Sequence, residues 1–252
     1  MSLRACIRRA LTALILLAGL AVPTAGARAE VWIVASLDNF PPYNFTLKGK
    51  RTGLDTEIVD SALKRMGVLP VHQSLSWQEV LTSLEKDRLD LAYQFVATPE
   101  RFQKYHMIGP VRTGETVFMV RRDSDIAFTS LEDLAGLQIG YVQGFRYTRE
   151  FDEATHVIKV PASSDLSNIR RLLMGRIDMV IGDRHTLTFF ADQEAKLGKV
   201  KFLSKPLGHV DRYFAMPKSR TGKAERFKAM LEEMRRDGAL EQIILSWRDR
   251  QR

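Results

Sequence analysis

The chain offers little for covalent or metal chemistry. Its 252 residues contain one cysteine, Cys6, which excludes an internal disulfide and a cysteine-built metal centre. The five histidines, His72, His106, His156, His185 and His209, share no metal-ligand spacing. Neither a metal nor a cofactor is expected. No low-complexity tract or Gly/Ser linker interrupts the sequence, so any two structural units must be joined by ordered chain. Long apolar runs are missing too. Ala10 to Val22 falls short of the roughly 20 residues that a membrane-spanning helix needs, and no later run is long enough.

That apolar run has a telling setting. Arg4, Arg8 and Arg9 precede it, and Pro23 with the small residues Ala25, Gly26, Ala27 and Ala29 follows. The pattern reads as a secretory signal over residues 1–29, cut after Ala29, and hence as a periplasmic protein. Cys6 leaves with it, and it lies on the wrong side of the run for lipid attachment. The charge falls as well. The precursor holds 38 basic and 30 acidic residues, a net +8; losing Arg4, Arg8, Arg9 and Arg28 halves that excess. So small an excess makes no case for nucleic acid. It fits an anionic small molecule or a membrane-protein partner.

One stretch organises the remainder. Residues 77–101 read as a helix, a buried strand over Leu89 to Val96, and a new helix. Ser76-Trp-Gln-Glu79 is a capping box for the first helix. Thr98 suits the N-cap of the second and Pro99 its first position, which puts Arg101 in the first turn. A cation there opposes the helix dipole, so helix stability does not explain it. A guanidinium beside a helix N-terminus does suit a carboxylate. The strand aims it at the carboxyl edge of a sheet, where open α/β folds bind ligands. Arg101 is the candidate anion anchor.

Upstream, Val31 to Ser36 and Val68 to Gln73 read as strands around a helix capped by Asp55 or Thr56 and ended by Gly67. The order is β-α-β-α-β, which calls for a parallel sheet. Gly109-Pro110 reads as a break before a strand over Thr116 to Arg121. Alternation of strand and helix then resumes, a late strand is expected over Tyr213 to Met216, and two helices close the chain. Asp87-Arg-Leu-Asp90 and Gly175-Arg-Ile-Asp178 echo each other at helix-to-strand turns, which suggests two similar lobes.

The ordered set Phe40-Pro-Pro-Tyr43, Gly53-Leu-Asp-Thr-Glu57, Trp77 to Asp90, Thr98-Pro-Glu-Arg101, Asp133-Leu-Ala-Gly-Leu-Gln-Ile-Gly140, Gly175-Arg-Ile-Asp178 with Asp183, and Asp237-Gly-Ala-Leu240 to Trp247 resembles a known family. It is that of the periplasmic solute-binding proteins of the polar-amino-acid type, the receptors of ABC importers. The resemblance covers essentially residues 30–252. It implies an α/β, two-lobed periplasmic binding protein fold (type II), with two parallel or mixed sheets joined by two hinge strands. Lobe one would be 30–115 plus 214–252 and lobe two 116–213, closing on ligand by hinge bending. It further implies a monomeric, non-enzymatic receptor that hands an amino acid or related small carboxylate to a membrane permease. Arg101 would hold the ligand's α-carboxylate and Asp183 its α-ammonium, while Phe40 and Trp77 sandwich its side chain. The alternatives are a prephenate or arogenate dehydratase on the same scaffold, with Glu150, Glu153, His185 and Asp183 as acid candidates, or a solute-sensing receptor module.

Several residues also have plain readings. Asp183 suits the N-cap of a helix beginning at Arg184. Asp55 and Glu57 read as helix-starting acids outside the site, and Tyr43 and Phe45 as packing. Where amino-acid binders carry Gly-Thr-Thr, this chain reads Gly144-Phe145-Arg146. Gly144 permits close backbone approach to a ligand, Phe145 adds bulk, and Arg146 adds a second anion donor. Tyr93, Gln94, Phe95 and Val96 stand in place of small polar residues, and Gln94 is counted with the ligand-binding set. The ligand therefore stays open among acidic or aromatic amino acids and other small carboxylates.

Overall fold

The computed structural model describes residues 29–249. Cys6 and the rest of the secretory-signal reading, Ala29 apart, lie outside them. Strands β1 (Glu30–Leu37), β4 (Val68–Leu75) and β5 (Leu91–Val96) pair in parallel in the order β4-β1-β5. This is what crossovers through helices α1 (Leu54–Arg65) and α2 (Trp77–Glu85) require. β5 is buried along its whole length, as a strand covered on both faces must be. α1 turns Ile58, Val59, Ala62 and Leu63 inward. Between β1 and α1, β2 (Phe45–Leu47) and β3 (Lys50–Thr52) form a small hairpin.

α1 does not start where the sequence placed its cap. Its N-cap is Gly53, not Asp55 or Thr56. The chain there lies against the Tyr43–Asn44 backbone, and a Cβ on Gly53 would stand 2.2 Å from the Tyr43 carbonyl oxygen. Only glycine fits, and its φ of 126° is one that side chains avoid.

Two long strands, β6 (Tyr105–Arg121) and β11 (Gly208–Pro217), run antiparallel to each other at the centre of the sheet. Beyond β6 lie β9 (Met179–Asp183), β7 (Gln138–Val142) and β8 (Ile158–Ala162), with β10 (Val200–Phe202) also on β6. The remaining helices are α3 (Pro99–Lys104), α4 (Arg149–Glu153), α5 (Asp165–Leu173), α6 (Arg184–Gln193), α7 (Thr221–Arg236) and α8 (Ala239–Asp249). One hydrophobic core joins β1, β5, α1, α2 and α7 to Phe214 and Met216. Two others sit around Phe118 and Ile181, and around Val117, Ile169 and Leu187. The result is two lobes threaded by β6 and β11.

Both threading strands are longer than the sequence patterns showed. Gly109-Pro110 does not break β6. Residues 109–111 bulge opposite Tyr213, between the pairs Ile108–Phe214 and Arg112–Arg212, and a bulge is where a proline's missing N–H does least harm to the ladder. β11 begins at Gly208 rather than Tyr213, with His209 and Asp211 outward and Val210 and Arg212 inward. The alternation exists, but an arginine in an inward position hides it from an apolar pattern.

The internal echo is a structural equivalence. Asp87 (φ 54°) and Gly175 (φ 69°) both take the left-handed turn that ends a helix. Arg88 and Arg176 then donate backbone N–H groups back to Ser83 and Arg171, at 2.8 and 2.9 Å. Asp90 exchanges hydrogen bonds with Ile33: its amide reaches the Ile33 carbonyl at 2.8 Å, and its carboxylate accepts the Ile33 amide at 2.8 Å. Asp178 does the same with Gln138, at 3.0 and 2.8 Å.

Asp55 does more than start a helix. Arg112 of β6 donates Nε and Nη2 to its two oxygens at 2.7 and 2.9 Å, and both side chains are 5% exposed. The guanidinium also lies 3.4 Å from the Tyr43 ring centroid. Burial alone would lower the Arg112 pKa; Asp55 overrides it and holds the value above normal. This pair ties α1 to a threading strand. Asp55→Asn should cost about 3–5 kcal/mol in urea unfolding, since it strands a buried cation. The double variant Asp55→Asn, Arg112→Gln should cost clearly less than the two single changes summed; simple additivity would show that the pair is uncoupled.

Candidate functional site

Arg101 arrives where its capping residues put it. The Thr98 hydroxyl accepts the Arg101 backbone N–H at 3.2 Å, and Pro99 opens α3. The side chain is not an ordinary surface arginine. It is 8% exposed. Its Nη1 donates to the Val96 carbonyl at 2.9 Å, and its Nη2 crosses to the Gly144 carbonyl of the other lobe at 3.2 Å. Among the described residues no carboxylate pairs with it; neighbouring Glu100 pairs instead with Lys104 at 3.1 Å. Burial first, then the charge of Arg146, with Arg212 adding to both, lowers its pKa to about 10. A desolvated cation without a counter-charge is costly, and an incoming anion would relieve that cost.

Gly144 is the meeting point of the lobes. Its carbonyl also accepts Trp77 Nε1–H at 3.0 Å, and next to it Gln78 donates to the Gln143 carbonyl at 2.9 Å. Its φ is +81°, and a Cβ there would stand 2.5 Å from Gln78 Nε2 and 3.1 Å from Trp77 Cδ1. Glycine therefore serves the approach of the two lobes, where the sequence suggested approach to a ligand.

The aromatic residues are brought together, though not as two open faces. Phe40 and Trp77 are 3% and 4% exposed and belong to the first core. Phe145 touches both edge-on, with ring centroids 6.0 and 5.4 Å away. The remaining cleft encloses about 10 Å³, room for a single water. Gln94, Val96, Arg101, Arg146 and Arg212 complete its wall. A wider groove of about 710 Å³ adjoins it through Val96 and Arg146. Arg146 is exposed at this mouth. Gln94 has a φ of 73°, a conformation non-glycine residues seldom adopt and one that clusters at functional sites. Its Oε1 accepts the Ser36 hydroxyl, while its buried Nε2 has no partner.

Sequence reasoning missed Arg212. It is 8% exposed and lies 6.0 Å from the Phe40 ring centroid, and its side chain donates to no described residue. The signal was its inward place in the His209-Val-Asp-Arg212 alternation.

Asp183 does cap a helix. Its Oδ1 accepts the backbone N–H groups of His185 and Thr186 at 3.1 and 3.3 Å. The same oxygen accepts the Tyr43 hydroxyl at 3.1 Å, so Tyr43 bridges the lobes rather than merely packing. Thr186 adds a second bridge, donating to the Pro41 carbonyl at 2.7 Å. Asp183 Oδ2 is buried without a partner. Asp183 is not among the residues lining the aromatic cleft. Of the other acid candidates, Glu150, Glu153 and His185 are exposed, and none lines that cleft.

Asp165, in the first turn of α5, is 2% exposed, and neither carboxylate oxygen finds a partner outside its own residue. Burial, then the charge of Asp183, raises its pKa to about 7. The folded state thus holds this proton more tightly than the unfolded chain, whose carboxyl titrates near pH ~3.9. The sign follows: stability is full below about pH 4 and falls as pH rises through about 7. Asp165→Asn should flatten that decline in urea unfolding between pH 5 and pH 8; an unchanged slope would mean that Asp165 does not cause it.

The chain matches the family model of bacterial extracellular solute-binding proteins, family 3, over residues 32–250, and it belongs to that family. A probable amino-acid ABC transporter-binding protein of Haemophilus influenzae is 24% identical over 222 residues, 87% of this chain and 85% of the relative. The L-cystine-binding protein TcyJ of Escherichia coli is 26% identical over 218 residues, 82% of this chain and 79% of the relative. Among solved structures, an ancestral arginine-binding protein bound to arginine superposes with a TM-score of 0.77 at 23% identity, covering 87% of this chain and 98% of that one. A histidine kinase sensor domain with similarity to periplasmic binding proteins gives 0.78 at 20% identity, covering 87% and 96%. These likenesses establish the two-lobed fold.

Proposed function

We propose that the protein is the periplasmic receptor of an ABC importer and that it binds a small carboxylate between its lobes, with Arg101 as the anion anchor. The observation that carries this reading is the Arg101 guanidinium, buried between the lobes with no carboxylate partner among the described residues. The names of the relatives, an amino-acid transporter-binding protein and an L-cystine-binding protein, support an amino acid or a close relative as ligand. Asp183 Oδ2, buried and unpartnered, is the acceptor available to an ammonium group. Phe40, Trp77 and Phe145 give the ligand an apolar surround, while Gln94 and Arg146 form its polar edge.

In this conformation Phe145 fills the space between the other two rings, so ligand entry requires the lobes to part. With lobe boundaries near residues 115 and 214, the two strands that thread the lobes would carry the bending. The mature protein acts as a monomer and delivers its ligand to a membrane permease.

Calorimetry on unfolded, stripped and refolded protein, titrated with a panel of amino and organic acids, tests the reading. The best ligand should lose about 2–4 kcal/mol of binding free energy in Arg101→Ala, the worth of a charge-assisted bidentate contact. Unchanged affinity in that variant would remove Arg101 from the role.

A further inference from the structure

Arg212 shares the cleft wall with Arg101 and Arg146, and no carboxylate stands among the eight residues that line it. Surplus arginines elsewhere in the chain are placed differently. Arg112 is held by Asp55 through two of its three nitrogens, and Arg184 pairs with Glu115. Arg212 has no such anchor. It makes no ion pair and no side-chain hydrogen bond with any described residue, and its Nε is fully enclosed. Burial works most against its protonated form and the charge of Arg112 adds to that, while Asp183, Tyr43 and Asp55 act the other way without any of them bonding to it. A guanidinium kept buried on a threading strand, beside another in the same state, serves packing poorly; an apolar side chain would fill the space at less cost. Two such groups facing one cleft match a ligand with a negative charge at each end.

We propose that Arg212 is a second anion anchor and that the ligand is a small dicarboxylate, held by Arg101 at one end and by Arg212 at the other. This rests on the reading of the cleft as a carboxylate site and narrows it. The apolar rings between the two arginines then cover the ligand's short carbon chain. Because Arg212 lies on β11, the second carboxylate reports directly to a strand that joins the lobes.

The test compares each dicarboxylate with its own monoamide by calorimetry on refolded protein: aspartate with asparagine, glutamate with glutamine, succinate with succinamate, glutarate with glutaramate. These pairs keep shape nearly constant and remove one charge. At least one dicarboxylate should bind about 100-fold tighter than its monoamide, since a site built for a charge rejects the analogue that lacks it. Arg212→Gln should bring that ratio to within about threefold while monoamide affinity holds. Arg101→Gln should weaken both members of the pair. If Arg212 were only structural, Arg212→Gln would lower unfolding stability and leave the ratio intact, which overturns the proposal. Monoamides or neutral amino acids binding as tightly as dicarboxylates also overturns it, while leaving Arg101 as an anchor. If no member of the panel and no other amino or organic acid binds, the carboxylate reading falls with it.

Discussion

A guanidinium removed from water without a counter-charge is among the more expensive things a fold can hold. Arg101 is in that state, and much of the molecule is arranged around it. β5 delivers its backbone, Thr98 and Pro99 fix the turn that aims it, and Phe95 and Trp77 shield it. Its two outward bonds go to carbonyl oxygens, one from each lobe. Carbonyls ease the desolvation but do not neutralise the charge. A carboxylate arriving between the lobes would supply what they lack. That gives a physical reason for the lobes to close around an anion rather than around any solute that fits.

The same closure is held by a small set of contacts at two ends of the cleft. Trp77, Gln78 and Arg101 reach the Gln143–Gly144 backbone on one side. Tyr43 reaches Asp183, and Thr186 reaches Pro41, on the other. Nearly all are hydrogen bonds to backbone or single side-chain bonds, each worth about 1 kcal/mol net. Such a latch can form and release, which suits a receptor that must let its ligand go. The Asp55–Arg112 pair is different in kind: bidentate and buried, it ties α1 to β6.

Much of the fold was legible because its signals are local. The capping box at Ser76, the Thr98-Pro99 start and the helix-to-strand turns at Asp87 and Gly175 are written in adjacent residues. The echo between the two Asp-to-strand turns could be read for the same reason. What was hidden depends on distant contacts. Gly53 caps α1 because Tyr43 crowds it, and nothing near Gly53 announces this. The reach of β6 past Pro110 depends on a bulge against β11, and the first half of β11 is masked by charged residues. In the site, Arg101 was found from its turn, whereas Arg212 was missed because buried arginines look like surface ones in sequence. Asp183 was foreseen both as a cap and as a ligand contact; the cap is plain, and the free oxygen beside it keeps the second role in view. Phe145 was read as added bulk, but that it would occupy the aromatic space itself could only be seen once both lobes were in place.

The central matter is whether Arg101 holds an anion in the working protein. Mass spectrometry of the compound released on denaturing natively purified protein, never refolded, addresses it without choosing a ligand in advance. A stoichiometric small carboxylate, lost when Arg101 is replaced by alanine, is the result the buried guanidinium predicts. A neutral or cationic compound, retained in that variant, would contradict it.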